Sequence, residues 1–173
     1  MRAALLIVLI AATAYAEPLT ASELRWRAME GATAEIRVDA AERLAIRFDR
    51  DADARQAALA AVLAGDAAVR KPIVQAMIDA GIVTPAAAAH IPTIGDVYRA
   101  ADKLRVSEYT RRGSCTIVPG DPDAIRVTCS DADTNACVRS SITIETWPRP
   151  RRIAQSVKDI GRCGCVCCGP LDS

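Results

Sequence analysis

Cys115-Thr116-Ile117-Val118-Pro119-Gly120-Asp121-Pro122-Asp123-Ala124-Ile125-Arg126-Val127-Thr128-Cys129 is the stretch whose reading decides the fold. Two short alternating runs flank Pro-Gly-Asp-Pro-Asp, a dense turn signal, so the stretch reads as a β-hairpin. An antiparallel register that pairs Ile117 with Val127 sets Cys115 opposite Cys129, and a cross-strand disulfide is expected there. All seven cysteines lie at or beyond position 115, and everything before it reads mostly as alanine-rich helix. The chain is therefore read as α+β: an Ala-rich helical bundle packed on short antiparallel β-hairpins, with a disulfide-stabilised C-terminal region.

Toward the N-terminus, helix starts are marked by side chains that can accept a backbone N–H. Thr20 with Glu23 three residues on forms a capping box, and Gly31 can close the helix that follows. Asp51 or Asp53 can cap a run in which Leu59, Val62 and Leu63 face inward, ending at Gly65. Asp66 can cap the next, with Ile73, Val74, Met77 and Ile78 as its apolar face and Gly81 as its stop. Thr84-Pro85 opens a short Ala helix. Thr93 with Asp96 opens the longest one, its stripe running from Ile94 to Leu104 and its end expected at Gly113. Between the first two of these segments, Ile36/Val38 and Leu44/Ile46/Phe48 alternate with polar or small residues. That predicts a hairpin with its connection near residues 39–43. The rival is a single helix, because Ile36, Ala40, Leu44 and Phe48 also recur every four residues.

Beyond Cys129, the segment from Ser141 to Trp147 alternates again. Pro148-Arg149-Pro150-Arg151-Arg152 reads as a stiff basic joint, and Ile153, Val157 and Ile160 as a last short helix before the tail Cys163-Gly164-Cys165-Val166-Cys167-Cys168. The predicted organisation is a signal peptide over residues 1–16, an α+β domain over 17–147, and the joint, helix and Cys-rich tail over 148–173. The first of these rests on Arg2, an apolar run from Leu5 to Ala12, and the small-x-small site Ala14-Tyr15-Ala16. The apolar run is shorter than the ~20 residues a membrane span needs. Cleavage would leave the chain secreted, periplasmic, or on a virion or cell surface.

Without Arg2 the chain carries 21 Lys and Arg against 21 Asp and Glu. That neutrality argues against a nucleic-acid partner. Export with seven cysteines points to disulfides, and the odd count leaves at least one thiol free, bridged to another chain as in a disulfide-linked homodimer, or bound to metal. Cys115–Cys129 is the expected bridge, and Cys137 is expected to pair with a tail cysteine. In extended backbone Cys163, Cys165 and Cys167 project to one side. With Cys168 they could instead gather Zn²⁺ or Cu(I) as a thiolate cluster, although the separated Cys-x-x-Cys pairs usual for structural zinc are absent. Cys163-Gly-Cys165 could also act as a redox pair. The starts Asp49-x-Asp51-x-Asp53 and Asp131-x-Asp133-x-Asn135 lack the glycine and the glutamate of a calcium loop. His90, the only histidine, closes an Ala run, where an imidazole suits a helix C-terminus. No nucleophile or phosphate-loop motif accompanies it, so the expectation is a chain that is not an enzyme.

The order of a helix, the Glu35-Ile36-Arg37-Val38 hairpin, Asp51-Ala52-Asp53-Ala54 leading into an Ala-rich helix, and Cys-linked strands resembles the poxvirus-type entry–fusion membrane proteins. The likeness covers residues 22–137. It implies an accessory role in membrane fusion at a virion surface, without catalysis. That family's early cysteines, N-terminal myristoylated glycine and C-terminal membrane helix have no counterpart here. From the residues themselves the expected function is an exported, disulfide-bonded, non-enzymatic binding or structural protein that meets a protein partner or a membrane surface. The alternative is a thiolate-cluster metal binder using the tail.

Overall fold

Short alanine side chains let helix backbones approach closely, and the helical body is built on that property. In the computed structural model, which describes residues 18–106, 114–133 and 138–159, six helices precede four strands. The helices are α1 (Ala21–Glu30), α2 (Ala34–Arg47), α3 (Ala52–Ala64), α4 (Ala67–Asp79), α5 (Pro85–Ala88) and α6 (Ile94–Lys103). The strands are β1 (Ser114–Ile117), β2 (Ile125–Asp133), β3 (Val138–Trp147) and β4 (Arg151–Asp159). They form one antiparallel meander in the order β1-β2-β3-β4. The fold is α+β, with a single sheet in place of separate hairpins.

Each helix starts where a threonine or aspartate can accept a backbone N–H. Thr20 and Thr93 form reciprocal capping boxes with Glu23 and Asp96. Asp51 and Asp66 each accept two N–H bonds at the starts of α3 and α4. Such caps are each worth about 1 kcal/mol. Gly81, at φ +66°, turns the chain out of α4, a conformation that side-chain-bearing residues adopt only with strain. There the Ile82 N–H reaches back to the Met77 carbonyl at 2.9 Å.

α3 is the hub. Ala54, Ala57, Ala58, Ala60 and Ala61 are buried along with Leu59, Val62 and Leu63. A helix apolar nearly all round belongs in a core, and α3 packs against α1, α2, α4 and β1. Among the described residues no helix is long and apolar enough to cross a membrane.

Residues 34–47 are helix α2, capped by Thr33, and the expected hairpin is absent. Ala40, Ala41, Leu44 and Phe48 are buried, whereas Ile46 is 78% exposed and Ile36 is also on the surface. The four-residue spacing prevails because Ala40-Ala41-Glu42-Arg43-Leu44-Ala45 is a run of strong helix formers with no turn residue. The Glu35-Ile36-Arg37-Val38 part of the family resemblance is thus helical, whereas Asp51-Ala52-Asp53-Ala54 does lead into a helix. The short helix expected over residues 153–160 is instead strand β4, paired antiparallel with β3. Pro148, Arg149 and Pro150 form the connection between those two strands. α6 ends at Lys103, and Gly113 lies outside the described residues.

Candidate binding groove

The period-2 alternation of β1 and β2 places Cys115 opposite Cys129 and Ile117 opposite Val127, the register expected from the turn. The two sulfurs are bonded. Both cysteines are buried with Val127, Ile142 and Ile144 in the core that the helices share with this face of the sheet.

The opposite face is polar and ordered in rows. The register carries Ser114, Ser130, Ser141 and Ser156 across all four strands, and Thr116, Thr128 and Thr143 across three. Hydroxyls bond along the rows, Thr128 to Thr143 at 2.7 Å and Ser141 to Ser156 at 2.7 Å. A third row sets Glu145 between Arg126 and Arg151. The Glu145 carboxylate is 3% exposed. It accepts from Arg151 Nε at 2.7 Å and Nη2 at 3.1 Å, and from Arg126 Nε at 3.2 Å. The Arg151 bonds, then those from Arg126, hold its carboxyl below the ordinary carboxylate range against the opposing effect of burial.

Where α1 and α3 meet the β1–β2 end of this polar face, a groove of about 460 Å³ opens. Volumes of roughly 300–1,000 Å³ are usual for small-molecule sites. Ser22 and Arg25 of α1 form one wall, Asp53 and Gln56 of α3 the other, and Ser114, Thr116, Thr128 and Ser130 line the sheet side. The Gln56 amide donates to the Thr116 hydroxyl at 3.3 Å, tying α3 to β1. Ala57 and Ala60 also line the groove, and their methyl groups leave its width open. The Thr20 hydroxyl at one end is engaged in the α1 capping box. Arg25 and Asp53, in contrast, have no ion-pair partner among the described residues. The groove therefore offers donors from a guanidinium, acceptors from a carboxylate, and hydroxyls that do both. It suits recognition of a polar, hydrogen-bonding ligand.

Of the cysteines singled out in the sequence, Cys115 and Cys129 form the bridge beside this groove, and Cys115 lines it. Cys137, Cys163, Cys165, Cys167 and Cys168 lie outside the described residues, as do the tail metal site, the redox pair and residues 1–16. Among the described residues no three His, Cys, Asp or Glu side chains gather where a metal could bind. Asp51 serves as the α3 cap. His90 is exposed and stacks on Trp147, ring centroids 3.5 Å apart and 7° from parallel. Of the basic joint, Arg151 holds Glu145 and Arg152 donates to Gln155. Sequence reasoning missed Arg25 and Glu145 and took Asp53 for a helix cap or calcium-loop start, because separate elements bring these residues to their places. The Ser and Thr alternation on the strands was the available signal for the polar face.

No family model, curated protein or solved structure matches the chain.

Proposed function

We propose that the chain is an exported, disulfide-bonded protein that binds rather than catalyses, working at a cell or virion surface. The observation that carries this reading is the buried Cys115–Cys129 bridge, which ties β1 to β2 beside the groove. Disulfides of this kind persist in oxidising compartments outside the cytosol. The N-terminal export pattern in the sequence agrees with that location. The groove supplies the binding part of the reading, with its hydroxyls and its uncommitted Arg25 and Asp53.

The test is the intact mass of protein recovered from an exporting host, native and denatured, with thiols alkylated before and after reduction. The expected result is loss of residues 1–16 and no alkylation at Cys115 or Cys129 until reductant is added. Retention of residues 1–16 with both of those cysteines alkylatable would overturn the proposal. A native mass exceeding the denatured mass by a metal ion, together with several alkylatable tail thiols, would replace it with the thiolate-cluster reading.

A further inference from the structure

The groove has a neighbour along α1. Ser22 and Arg25 also line a second depression of about 290 Å³, whose other walls are Trp26, Met29 and Glu30. Positions 22, 25, 26 and 29 follow the i, i+3, i+4, i+7 spacing, so they form one stripe along α1. Trp26 is 63% exposed. Its indole therefore presents an apolar face to solvent beside the polar groove, with a ring N–H as a donor.

We propose that these two adjoining depressions bind a neutral oligosaccharide, one sugar stacking on the Trp26 indole and the next residues lying along Arg25 toward the hydroxyl-lined floor. This rests on the reading of the chain as an exported binding protein. Three features of the cleft select that chemistry. A sugar hydroxyl both donates and accepts, and the cleft provides both kinds of group: Arg25 donates only, Asp53 accepts only, and Ser22 and Ser130 do either. A pyranose also presents a C–H face, which an exposed indole can cover and a purely polar wall cannot. The charges oppose an anionic ligand, because Asp53 and Glu30 outnumber Arg25 among the residues lining the two depressions. The two depressions lie side by side with Ser22 and Arg25 as shared walls, so a chain of sugars could contact both.

The experiment uses the full oxidised protein and soluble hexasaccharides of glucose, mannose, xylose and N-acetylglucosamine, followed by calorimetry and by tryptophan fluorescence. One of these is expected to bind and to shift the tryptophan emission. Trp26→Ala and Arg25→Ala should each weaken binding by about tenfold or more, the equivalent of about 1.4 kcal/mol. Trp26→Ala should also abolish the fluorescence shift. Ile46→Ser, an exposed substitution on α2 away from the cleft, should bind as the parent does. Lack of binding to all four sugars at millimolar concentration would overturn the proposal, as would binding that Trp26→Ala and Arg25→Ala leave unchanged. Binding of only an acidic oligosaccharide, or of a peptide in a parallel titration, would overturn it too. Each of those outcomes leaves the mass and alkylation test of export untouched, so the two readings fail separately.

Discussion

Glu145 is the one charged side chain buried among the described residues. It is a buried acid whose two oxygens are satisfied by two arginines. Both arginines keep contact with solvent, Arg151 more than Arg126. Removing the acid therefore does not strand a fully buried cation, and the loss is smaller than for a wholly buried pair. Glu145→Ala is expected to cost about 1–3 kcal/mol in urea unfolding. A change below about 0.5 kcal/mol would mean that these pairs contribute no more than ordinary surface ion pairs. The Cys115–Cys129 pair could be read in the sequence, because both cysteines sit in one hairpin whose turn sets the register. Glu145 could not, since its partners come from two neighbouring strands and Arg151 reaches it only once β4 has paired.

At the scale of elements, α2 and β4 show what decides between competing periodicities. Residues 34–48 satisfy both the two-residue and the four-residue pattern in part, and each pattern assigns Ile46 a different place. The strand reading sets it beside Leu44 and Phe48 on one face, whereas the helix turns it out to solvent. Leu44→Ala is expected to cost about 2–5 kcal/mol, as truncation of a fully buried leucine does. Ile46→Ser should change stability by less than about 0.5 kcal/mol. Equal losses at the two positions, measured by denaturant titration, would contradict the helix. In β4 the spacing of Ile153 and Val157 is helical on paper. The exposed edge of β3 supplies a ladder of backbone partners that an isolated short helix lacks, and short helices are marginal without tertiary support.

Across the whole molecule, the carboxylates at helix starts tie stability to pH. Glu23 is held below its ordinary value first by its bond from the Thr20 backbone, Asp51 by that from Ala54, and Asp66 by that from Val69. Asp96 is pushed down to about 2, first by the Thr93 hydroxyl and then by the Thr93 backbone N–H. A folded value below the unfolded one means that the unfolded chain binds protons first as pH falls. The stabilisation is fully present above the ordinary carboxylate range and is lost as pH drops through the folded values. The melting temperature should therefore hold between about pH 5 and 7 and fall steadily toward pH 2. Thr93→Ala should lower the unfolding free energy on the plateau by about 1 kcal/mol and flatten part of the acid slope. A slope identical to the parent's would remove the Thr93–Asp96 box from this account. This behaviour was largely legible beforehand, because Thr20, Asp51, Asp66 and Thr93 announce their helices locally.

The sequence by itself determined the α+β class, nearly every helix start, the Cys115–Cys129 pairing and the alternation that makes one sheet face polar. These are local properties, set within one element or one turn by capping chemistry and by the period of the strand. Tertiary structure alone decided that β4 is a strand and that Arg25, Asp53 and the hydroxyls of β1 and β2 share one groove. Those outcomes depend on which buried surface each segment finds. β4 finds the edge of β3, and the groove exists only because α1 and α3 come together against the sheet.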